Sequence, residues 1–583
     1  MKKKLLALTC LALASTMMLG SCFGGGGTDS SADNNNSTTS TTDSTGDSTT
    51  STSKKTIKAP RTDIAGFDAD YLPASSTPRQ QGTIDVSLVF EDTLKGWEAL
   101  AAEYERLHDG EVVVQLDKTY SDASNYQTAL NDEIKGETQW DIVQGNLFMG
   151  NGLQSNCINM ASAVNAENHY AGMDGEDVRY WIDVLTEDAY LTDKSGASTN
   201  TFIMNSEGLQ TAWFVNTVAL EAAKGQGYNG GDTPATWDEL MDLCRCMELA
   251  GYNNPLGIAL DDDSIGASQF TWLLRVYGDY YYRNEYQNIM MSDDYVYDKA
   301  SKNPERITGY SVSGNKFYYS IFKNTDKTYY VGPESAKYQE FLGQFEKMKP
   351  YLRESAADSQ QSGLSVLRTK FATQSEGKDS PQLFLDYVGA GLRFQDNENA
   401  NFQVEFFDYP KMVSEGNFIP EGTILRDVGG NGGYLSILKH DEAQNKLNLD
   451  FIKFVVSPYG QSIYYEALSK EGSYPMGMTT VVNDYVAIPD EWVTFFKAEQ
   501  IEFNGLVDAN PYVSYLLRGF SDEPATTAAL LKGWKHYLTG TNYTKMNFVV
   551  DWVNAMETDW LTYCTKYGKN PEMRDNRTGT DTL

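Results

Sequence analysis

Hydrophobic positions change their period along the chain from residue 82 onward. At 82–90 the apolar residues have the spacing of a strand, whereas those from Leu94 to Leu107 recur every three or four positions and predict a helix. Asp109 and the glycine after it predict a break. Further predicted elements are a strand at 111–116, a helix at 126–134 and a strand at 140–143. Strands that alternate with helices indicate βαβ units and a parallel sheet, and therefore an α/β fold.

The rest of the chain continues this mixed pattern. The later predicted elements are strands at 382–387, 403–408 and 433–438 and helices at 443–455 and 547–567. Beyond 485 the periodicity is mostly helical, and the polar tail at 571–583 is predicted to be frayed.

The first 80 residues lack the pattern of a packed domain. Residues 1–21 join a basic start to an apolar run too short to span a bilayer comfortably, which predicts a signal peptide. The run ends in Leu-Gly-Ser-Cys, which resembles a bacterial lipobox, and the resemblance implies lipidation of Cys22. Segment 22–80 is rich in Gly, Ser, Thr and Asn, so we expect a disordered tether that reaches about 40–45 Å on average. An ordinary signal peptide with a chance cysteine is the alternative.

Composition limits the class of partner. Hydrophobic residues make up 41% and aromatic residues 12% of the 583 positions, which is enough for a large packed core. The net charge of −33 repels polyanions, so no nucleic-acid partner is expected.

Neither histidines nor cysteines form a recognisable ligand set. The four His are not paired at metal-ligand spacing, so neither a metal nor another cofactor is expected. Outside the leader and Cys22, the cysteines are Cys157, Cys244, Cys246 and Cys564, which we expect to be buried free thiols.

Motifs typical of enzymes are incomplete. The sequence Gly-Gln-Gly-Tyr-Asn-Gly at 225–230 matches G-x-G-x-x-G but follows a helical pattern instead of a strand, so we interpret it as a link between helices. No P-loop is present, and Gly-Tyr-Ser-Val-Ser-Gly at 309–314 is too long for a nucleophile elbow. Paired carboxylates for glycoside hydrolysis stay open, because none of the 80 acidic residues stands out. We therefore expect a protein that is not an enzyme.

Several short motifs occur in order along residues 82–485. The most specific is Pro-Ala-Thr-Trp-Asp-Glu-Leu at 234–240, in which Thr236 can cap a helix and Glu239 can complete a capping box. The weaker motifs are Trp-Asp-Ile-Val at 140–143, Trp-Phe-Val-Asn at 213–216, Gly-Gly-Tyr-Leu-Ser-Ile at 432–437 and Gly-Ser-Tyr-Pro at 472–475. As a set they resemble the family 1 extracellular solute-binding proteins of bacterial ABC importers, the carbohydrate-binding group typified by maltose-binding protein.

The resemblance implies an α/β, two-lobed periplasmic-binding-protein-like fold of type II, with crossover strands between the lobes and a helical C-terminal region. Lobe one would comprise 82–213 and 432–475, and lobe two 214–431 and 476–570. A monomer of this kind would capture a sugar or oligosaccharide and deliver it to the permease subunits of an ABC importer. It would work on the extracytoplasmic face of the bacterial cell membrane, held there by its N-terminal lipid.

In such a fold the ligand lies in the cleft, at strand ends and crossovers. Aromatic rings would cover the apolar C–H faces of a sugar, and polar side chains would bind its hydroxyls. The predicted ligand-binding residues are Glu91, Asp92, Lys95, Gln144, Asn146, Trp213, Asn216, Gln269, Phe270, Trp272, Asp386, Tyr387, Asp427, Asn431 and Tyr434.

Structural roles are the alternative for each of these residues. Trp213 and Trp272 could be core residues, and the polar residues that follow the first strand could cap the next helix. Asp386 could pair with an arginine such as Arg393 or Arg426.

Other functions stay open as well. Tyr464 and Tyr465 resemble the tyrosine pair of iron-binding relatives, although we expect both to pack within a helical region. A peptide or polyamine is a further possible solute, and the excess of acids would suit a cation. A surface enzyme that degrades glycans and an adhesin for polysaccharide are the remaining alternatives.

Overall fold

The computed structural model describes residues 60–66, 82–90, 93–119, 126, 129–130, 132–134, 139–145, 156–172, 177–186, 189–193, 200–260, 269–282, 332–353, 364–395, 402–426, 430–431, 434–498, 516 and 524–566. Its strands are β1 (Thr83–Ser87), β2 (Val113–Asp117), β3 (Ile142–Gln144), β4 (Tyr190–Asp193), β5 (Asn200–Asn205), β6 (Glu207–Leu209), β7 (Thr211–Asn216), β8 (Leu256–Gly257), β9 (Leu383–Tyr387), β10 (Val404–Phe407), β11 (Gly430–Asn431), β12 (Tyr434–Ile437) and β13 (Met478–Thr479). Its helices are α1 (Leu94–Leu107), α2 (Ala161–Val164), α3 (Thr217–Lys224), α4 (Trp237–Leu249), α5 (Gln269–Tyr282), α6 (Ala336–Glu346), α7 (Leu364–Thr373), α8 (Ala390–Gln395), α9 (Glu442–Val455), α10 (Pro458–Lys470), α11 (Asp490–Ala498), α12 (Pro524–Thr539) and α13 (Lys545–Lys566).

A six-stranded sheet forms the centre of lobe one. Its strand order is β2-β1-β3-β12-β5-β4, in which β1 runs parallel to β2 and β3, and β12 runs antiparallel to β3 and β5. The carboxyl ends of β1, β3 and β5 therefore lie at one edge of the sheet, beside the start of β12. The strands and the first helix predicted for 82–143 are confirmed, with β1, α1, β2 and β3 all present.

Helix α1 packs closely against α10. Its buried residues recur on one face and include Trp97, Leu100 and Tyr104. A Cβ built on Gly96 would lie 2.3 Å from the ring of Tyr464, so glycine permits this close approach.

Asp141 ties three elements of lobe one together. Its Oδ2 accepts a hydrogen bond from the backbone N–H of Asp85 at 2.7 Å, and its Oδ1 accepts one from Asn448 Nδ2 at 3.0 Å. His440 Nε2 lies 3.1 Å from the same Oδ1. The acid of the Trp-Asp-Ile-Val motif is fully buried, and its role is to join β1, β3 and α9.

Lobe two is built on a four-stranded sheet of order β10-β7-β9-β8. The predicted capping box begins α4, because Thr236 Oγ1 accepts from the Glu239 N–H and Glu239 Oε2 accepts from the Thr236 N–H, both at 3.2 Å. Trp237 donates from Nε1 to the carbonyl of Gln344 at 2.8 Å and packs on Tyr277, so this motif has a structural role.

Three short strands connect the lobes. The order of this crossover sheet is β11-β6-β13, and both neighbours are antiparallel to β6. The chain passes from β5 to β7 through β6, returns from β10 to β12 through β11, and leaves again through β13. Strand β7 begins at Thr211 and pairs with β9 and β10, so residues 211–213 belong to the four-stranded sheet. The division of the chain into lobes at residue 213 stays a prediction.

The C-terminal region is helical, as predicted. Helices α12 and α13 pack on each other and on lobe two through Trp534, which lies 4.9 Å from the ring of Phe548, 5.5 Å from Phe345 and 5.6 Å from Phe270. In the part of the chain that the structure describes, no helix has the length and apolar character needed to cross a membrane.

Two further predictions, the link between helices at 225–230 and the buried thiols, are confirmed. Residues 225–230 do connect helices α3 and α4, and the four cysteines outside the leader and Cys22 are buried and form no disulfide. Residues 60–66, however, pack against lobe one, whereas composition placed them in the disordered tether. One apolar side chain, Ile64, is 5% exposed, and this local burial is not visible in the average composition of the segment. The predictions for Cys22 and for 571–583 lie outside the described residues.

Candidate functional site

A small cavity lies where the sheet of lobe one meets the crossover strands. Its volume of about 30 Å³ is room for about two water molecules. The lining residues are Leu88, Val89, Thr93, Trp97, Gln144, Ser206, Glu207, Tyr434, Leu435, Tyr464 and Met476. They come from the carboxyl ends of β1, β3 and β5, from the start of β12, from the crossovers, from the start of α1 and from α10. This edge of the sheet is where ligands bind in open α/β sheets.

Glu207, on the central crossover strand β6, is the acidic residue of this cavity. The side chain is 3% exposed, and its Oε1 has no hydrogen-bond partner among the described residues. Burial raises the pKa of Glu207 to about 7, and hydrogen bonds from the Tyr464 hydroxyl and the Met476 backbone oppose that rise. The cavity therefore contains a buried carboxyl group with one free acceptor oxygen.

Two predicted ligand-binding residues, Gln144 and Tyr434, line the same cavity. Gln144 ends β3, its backbone N–H donates to the Tyr126 hydroxyl at 3.0 Å, and its Oε1 accepts from the Val89 N–H at 3.4 Å. Tyr434 begins β12 and is 5% exposed. Both side chains are held beside Glu207 by the geometry of the sheet edge.

Two other predicted ligand-binding residues, Tyr387 and Trp272, lie on the lobe two side of the crossover strands. Tyr387 ends β9, and the next residue, Val388, donates its N–H to Gln210 O at 2.9 Å, directly after β6. The Tyr387 ring is 5.1 Å from that of Trp272, and it is the more exposed of the two. Tyr387 therefore lies near the end of β6, whereas the lobe one cavity lies at the start of that strand.

Three predicted polar residues of lobe two have structural partners. Asp386 is fully buried and accepts two hydrogen bonds from Arg368, at 2.6 and 2.8 Å, so its partner is neither of the two arginines proposed from sequence. Asn216 caps α3 through the Val218 N–H and donates to Gln382 at 2.9 Å.

Gln269 accepts from the Ala259 N–H at 2.5 Å and donates to Leu385 O at 2.7 Å, which ties α5 to β9. Trp213 is fully buried and stacks on Phe407, and Phe270 is buried near Trp534.

The remaining predicted residues are less constrained. Lys95 lies on the exposed side of α1 and pairs with Glu98 at 3.0 Å. The predictions for Glu91, Asp92, Asn146 and Asp427 lie outside the described residues, as does the side chain of Asn431, whose backbone pairs with β6. For all of these residues, sugar contact stays a prediction.

Sequence reasoning missed Glu207, Thr93, Ser206 and Met476. Glu207 could not be separated from the other acids, because its burial depends on α10 and on the third crossover, which come much later in the chain. The tyrosine pair was expected to pack, and this is confirmed: Tyr464 is 4% exposed, and Tyr465 is fully buried with its hydroxyl donating to Gly477 O at 2.9 Å.

No group of three or more His, Cys, Asp or Glu side chains that could hold a metal is present among the residues the structure describes. The polar atoms of the cavity can accept and donate hydrogen bonds, and the nearby rings offer flat apolar surfaces. Such a surface suits a neutral, polyhydroxylated guest.

The chain has an α/β fold with crossover strands between two sheets, and this fold is shared with a solved structure. Among solved structures it is similar to a chitin oligosaccharide binding protein, at 14% identity and a TM-score of 0.50 over 82% of this chain and 98% of that one. It is also similar to a family 1 extracellular solute-binding protein from Bifidobacterium longum subsp. infantis, at 14% identity and a TM-score of 0.47 over 82% and 99% of the two chains. A third is RafE from Streptococcus pneumoniae, at 13% identity and a TM-score of 0.46 over 83% and 99%. No family model and no curated protein matches the sequence.

Proposed function

We propose that this protein is a membrane-anchored extracellular solute-binding protein that captures a sugar or oligosaccharide between its lobes and delivers it to an ABC importer. The observation that carries the proposal is the cavity at the crossover strands, where a buried carboxyl with a free oxygen, a glutamine and a tyrosine meet at one sheet edge. A chitin oligosaccharide binding protein shares the fold, which supports a saccharide as the first class of ligand to test.

The cavity would form the deepest part of the ligand site. It is too small for a pyranose ring, so the sugar would lie in the interlobe space above it and direct one hydroxyl toward Glu207 Oε1. Gln144 and Tyr434 would bind neighbouring hydroxyls on the lobe one side, and Tyr387 would offer a ring from lobe two. A guest that contacts both sides stabilises the closed arrangement, because a ligand shifts such an equilibrium by its difference in affinity for the two states.

Release to a permease sets an upper limit on useful affinity. A dissociation constant near micromolar corresponds to about 8 kcal/mol, which suffices for capture and still allows exchange. Lipidation at Cys22 would keep the loaded protein at the membrane surface, since two or more acyl chains hold far more stably than one.

A thermal-shift screen of mono- and oligosaccharides tests the binding function. We expect at least one saccharide to raise the melting temperature and to make the protein more compact in X-ray scattering. Tyr434→Ala should lose that response, whereas Tyr180→Ala, at a tyrosine of lobe one that is 46% exposed, should keep it. Release of new reducing ends would identify an enzyme, and a response only to peptides, polyamines or iron would identify another solute.

Anchoring is tested separately. Mass spectrometry of the N-terminal peptide from cells should find diacylglycerol on Cys22, and Cys22→Ala should release the protein from membranes. An unmodified Cys22 in a membrane-free protein would contradict the anchor and leave the sugar-binding proposal standing.

A further inference from the structure

Residues 60–66 are attached to lobe one by a continuous set of contacts. The Arg61 N–H donates to His169 O at 2.9 Å, and His169 Nδ1 donates to Ile64 O at 2.8 Å, because a carbonyl oxygen can only accept. The side chain of Ile64 is 5% exposed. Backbone and apolar contacts thus hold residues 61–64 of this segment against lobe one.

Ion pairs also join residues 60–66 to lobe one. Asp63 accepts from Arg61 at 2.7 and 2.8 Å and from Arg179 at 2.8 Å, and Arg179 also pairs with Glu167 at 2.7 Å. The third nitrogen of the Arg61 guanidinium, Nη1, donates to Val178 O at 2.7 Å. These arginines lower the pKa of Asp63 well below its usual range, as expected for a carboxylate that accepts hydrogen bonds from two cations.

A glycine of lobe one makes room for the arginine stem. A Cβ built on Gly172 would lie 2.3 Å from Arg61 Cγ, so a side chain at Gly172 would displace Arg61. The backbone of Gly172 has φ −66 and ψ 141, a conformation that any residue adopts, so glycine serves the contact and not a turn.

We propose that residues 60–66 form a clasp that fixes the N-terminal tether to lobe one, so that the membrane anchor connects to this lobe alone. The part about the anchor rests on the proposed function, whereas the clasp itself does not. If residues 22–59 form the tether that composition predicts, they would span about 30–37 Å on average between the anchor and the clasp. The face of lobe one around Arg179 would lie nearest the membrane, and lobe two would remain free to close.

Limited trypsin digestion of the full-length protein tests the clasp. The bond after Arg61 should be cut at least tenfold more slowly than in a synthetic peptide of residues 54–70, since a protease needs the extended, undocked chain. Gly172→Leu should remove most of this protection without altering the cleaved sequence. Gly231→Leu is the matched control, because the nearest atom to a Cβ there is 3.7 Å away, in a loop of lobe two.

Hydrogen exchange of the wild-type protein gives a second measurement that needs no variant. The Arg61 amide should exchange at least tenfold more slowly than in the peptide. Exchange and cleavage at the peptide rates would overturn the clasp. Protection that is unchanged in a folded Gly172→Leu variant would equally contradict the Arg61 contact.

The orientation is tested on vesicles that contain a quencher lipid. A fluorophore on Tyr180→Cys, in lobe one, should be quenched more than one on Leu249→Cys, a 58%-exposed position in lobe two, and Gly172→Leu should reduce the difference. Equal quenching of vesicle-bound wild type would refute the orientation. Absence of vesicle binding would refute the proposed anchor, while trypsin protection would still decide the clasp.

Discussion

Replacement of Glu207 by glutamine should make the protein more stable at neutral and alkaline pH. Glutamine keeps the size of the side chain but removes its ionisation. In the wild type, burial raises the pKa of Glu207 from an ordinary 4.5 to about 7, against the hydrogen bonds from Tyr464 and Met476. The folded state therefore holds a proton that the unfolded chain releases at lower pH.

The sign and size of this stability difference follow from the linkage between proton binding and folding. Below pH 4.5 the carboxyl is protonated in both states, so its contribution does not change with pH. Between pH 4.5 and 7 the unfolded chain ionises first, so the free energy of unfolding falls as pH rises; above 7 the loss is complete. The difference between the folded and unfolded pKa values of Glu207 corresponds to about 3 kcal/mol of unfolding free energy, at 1.36 kcal/mol per pH unit. This is an upper value, because the cavity has room for water.

Thermal and urea unfolding of wild type and Glu207→Gln at pH 4.5, 6 and 8 measures this effect. We expect nearly equal stability at pH 4.5 and a growing advantage for the glutamine variant up to pH 8. Glu405→Gln, at an exposed position of β10, should change stability little at every pH. A difference between Glu207→Gln and wild type that does not vary with pH would refute the assignment of a buried, protonated carboxyl.

Three other substitutions have defined outcomes. Arg368→Ala should lower the free energy of unfolding by about 3–5 kcal/mol, because it removes the cation and the two hydrogen bonds that it donates to the buried Asp386 carboxylate. Urea titration measures this loss, and a value below about 1 kcal/mol, the scale of an exposed pair, would show that the pair is solvated. Thr236→Ala should cost about 1 kcal/mol through loss of the capping box, whereas Thr236→Ser should retain it; equal losses in both variants would contradict the cap. Tyr434→Phe should weaken sugar binding about tenfold in calorimetry, the scale of one good contact, with an unchanged melting temperature; a parallel drop in melting temperature would assign Tyr434 to the core instead.

Local pattern predicted the elements well where one helix or strand carries its own signal. The helix over Leu94–Leu107 has both its apolar stripe and a terminating turn, in which Asp109 has φ 51 and Gly110 has φ 77. The capping box at Thr236 is equally local, since both partners lie within one helical turn. Such signals depend on neighbours in sequence, so no tertiary contact is needed to read them.

The candidate site was harder to predict because its residues depend on distant partners. Asp386 looked like a ligand residue at a strand end, but an arginine on the preceding helix α7 satisfies both of its oxygens. Glu207 showed no signal, yet the packing of α10 and the third crossover buries it at the cavity. Burial and pairing of a polar side chain are properties of the assembled fold, so a strand-end position alone does not distinguish a ligand contact from a structural one.

Four cysteines sit inside the described structure without a disulfide, and burial raises the pKa of Cys157 to about 12. A thiol in that state forms almost no thiolate at neutral pH, and thiolate is the species that oxidants and exchange partners attack. No disulfide therefore holds the described structure together, and we expect its thermal stability to be the same with and without a reducing agent.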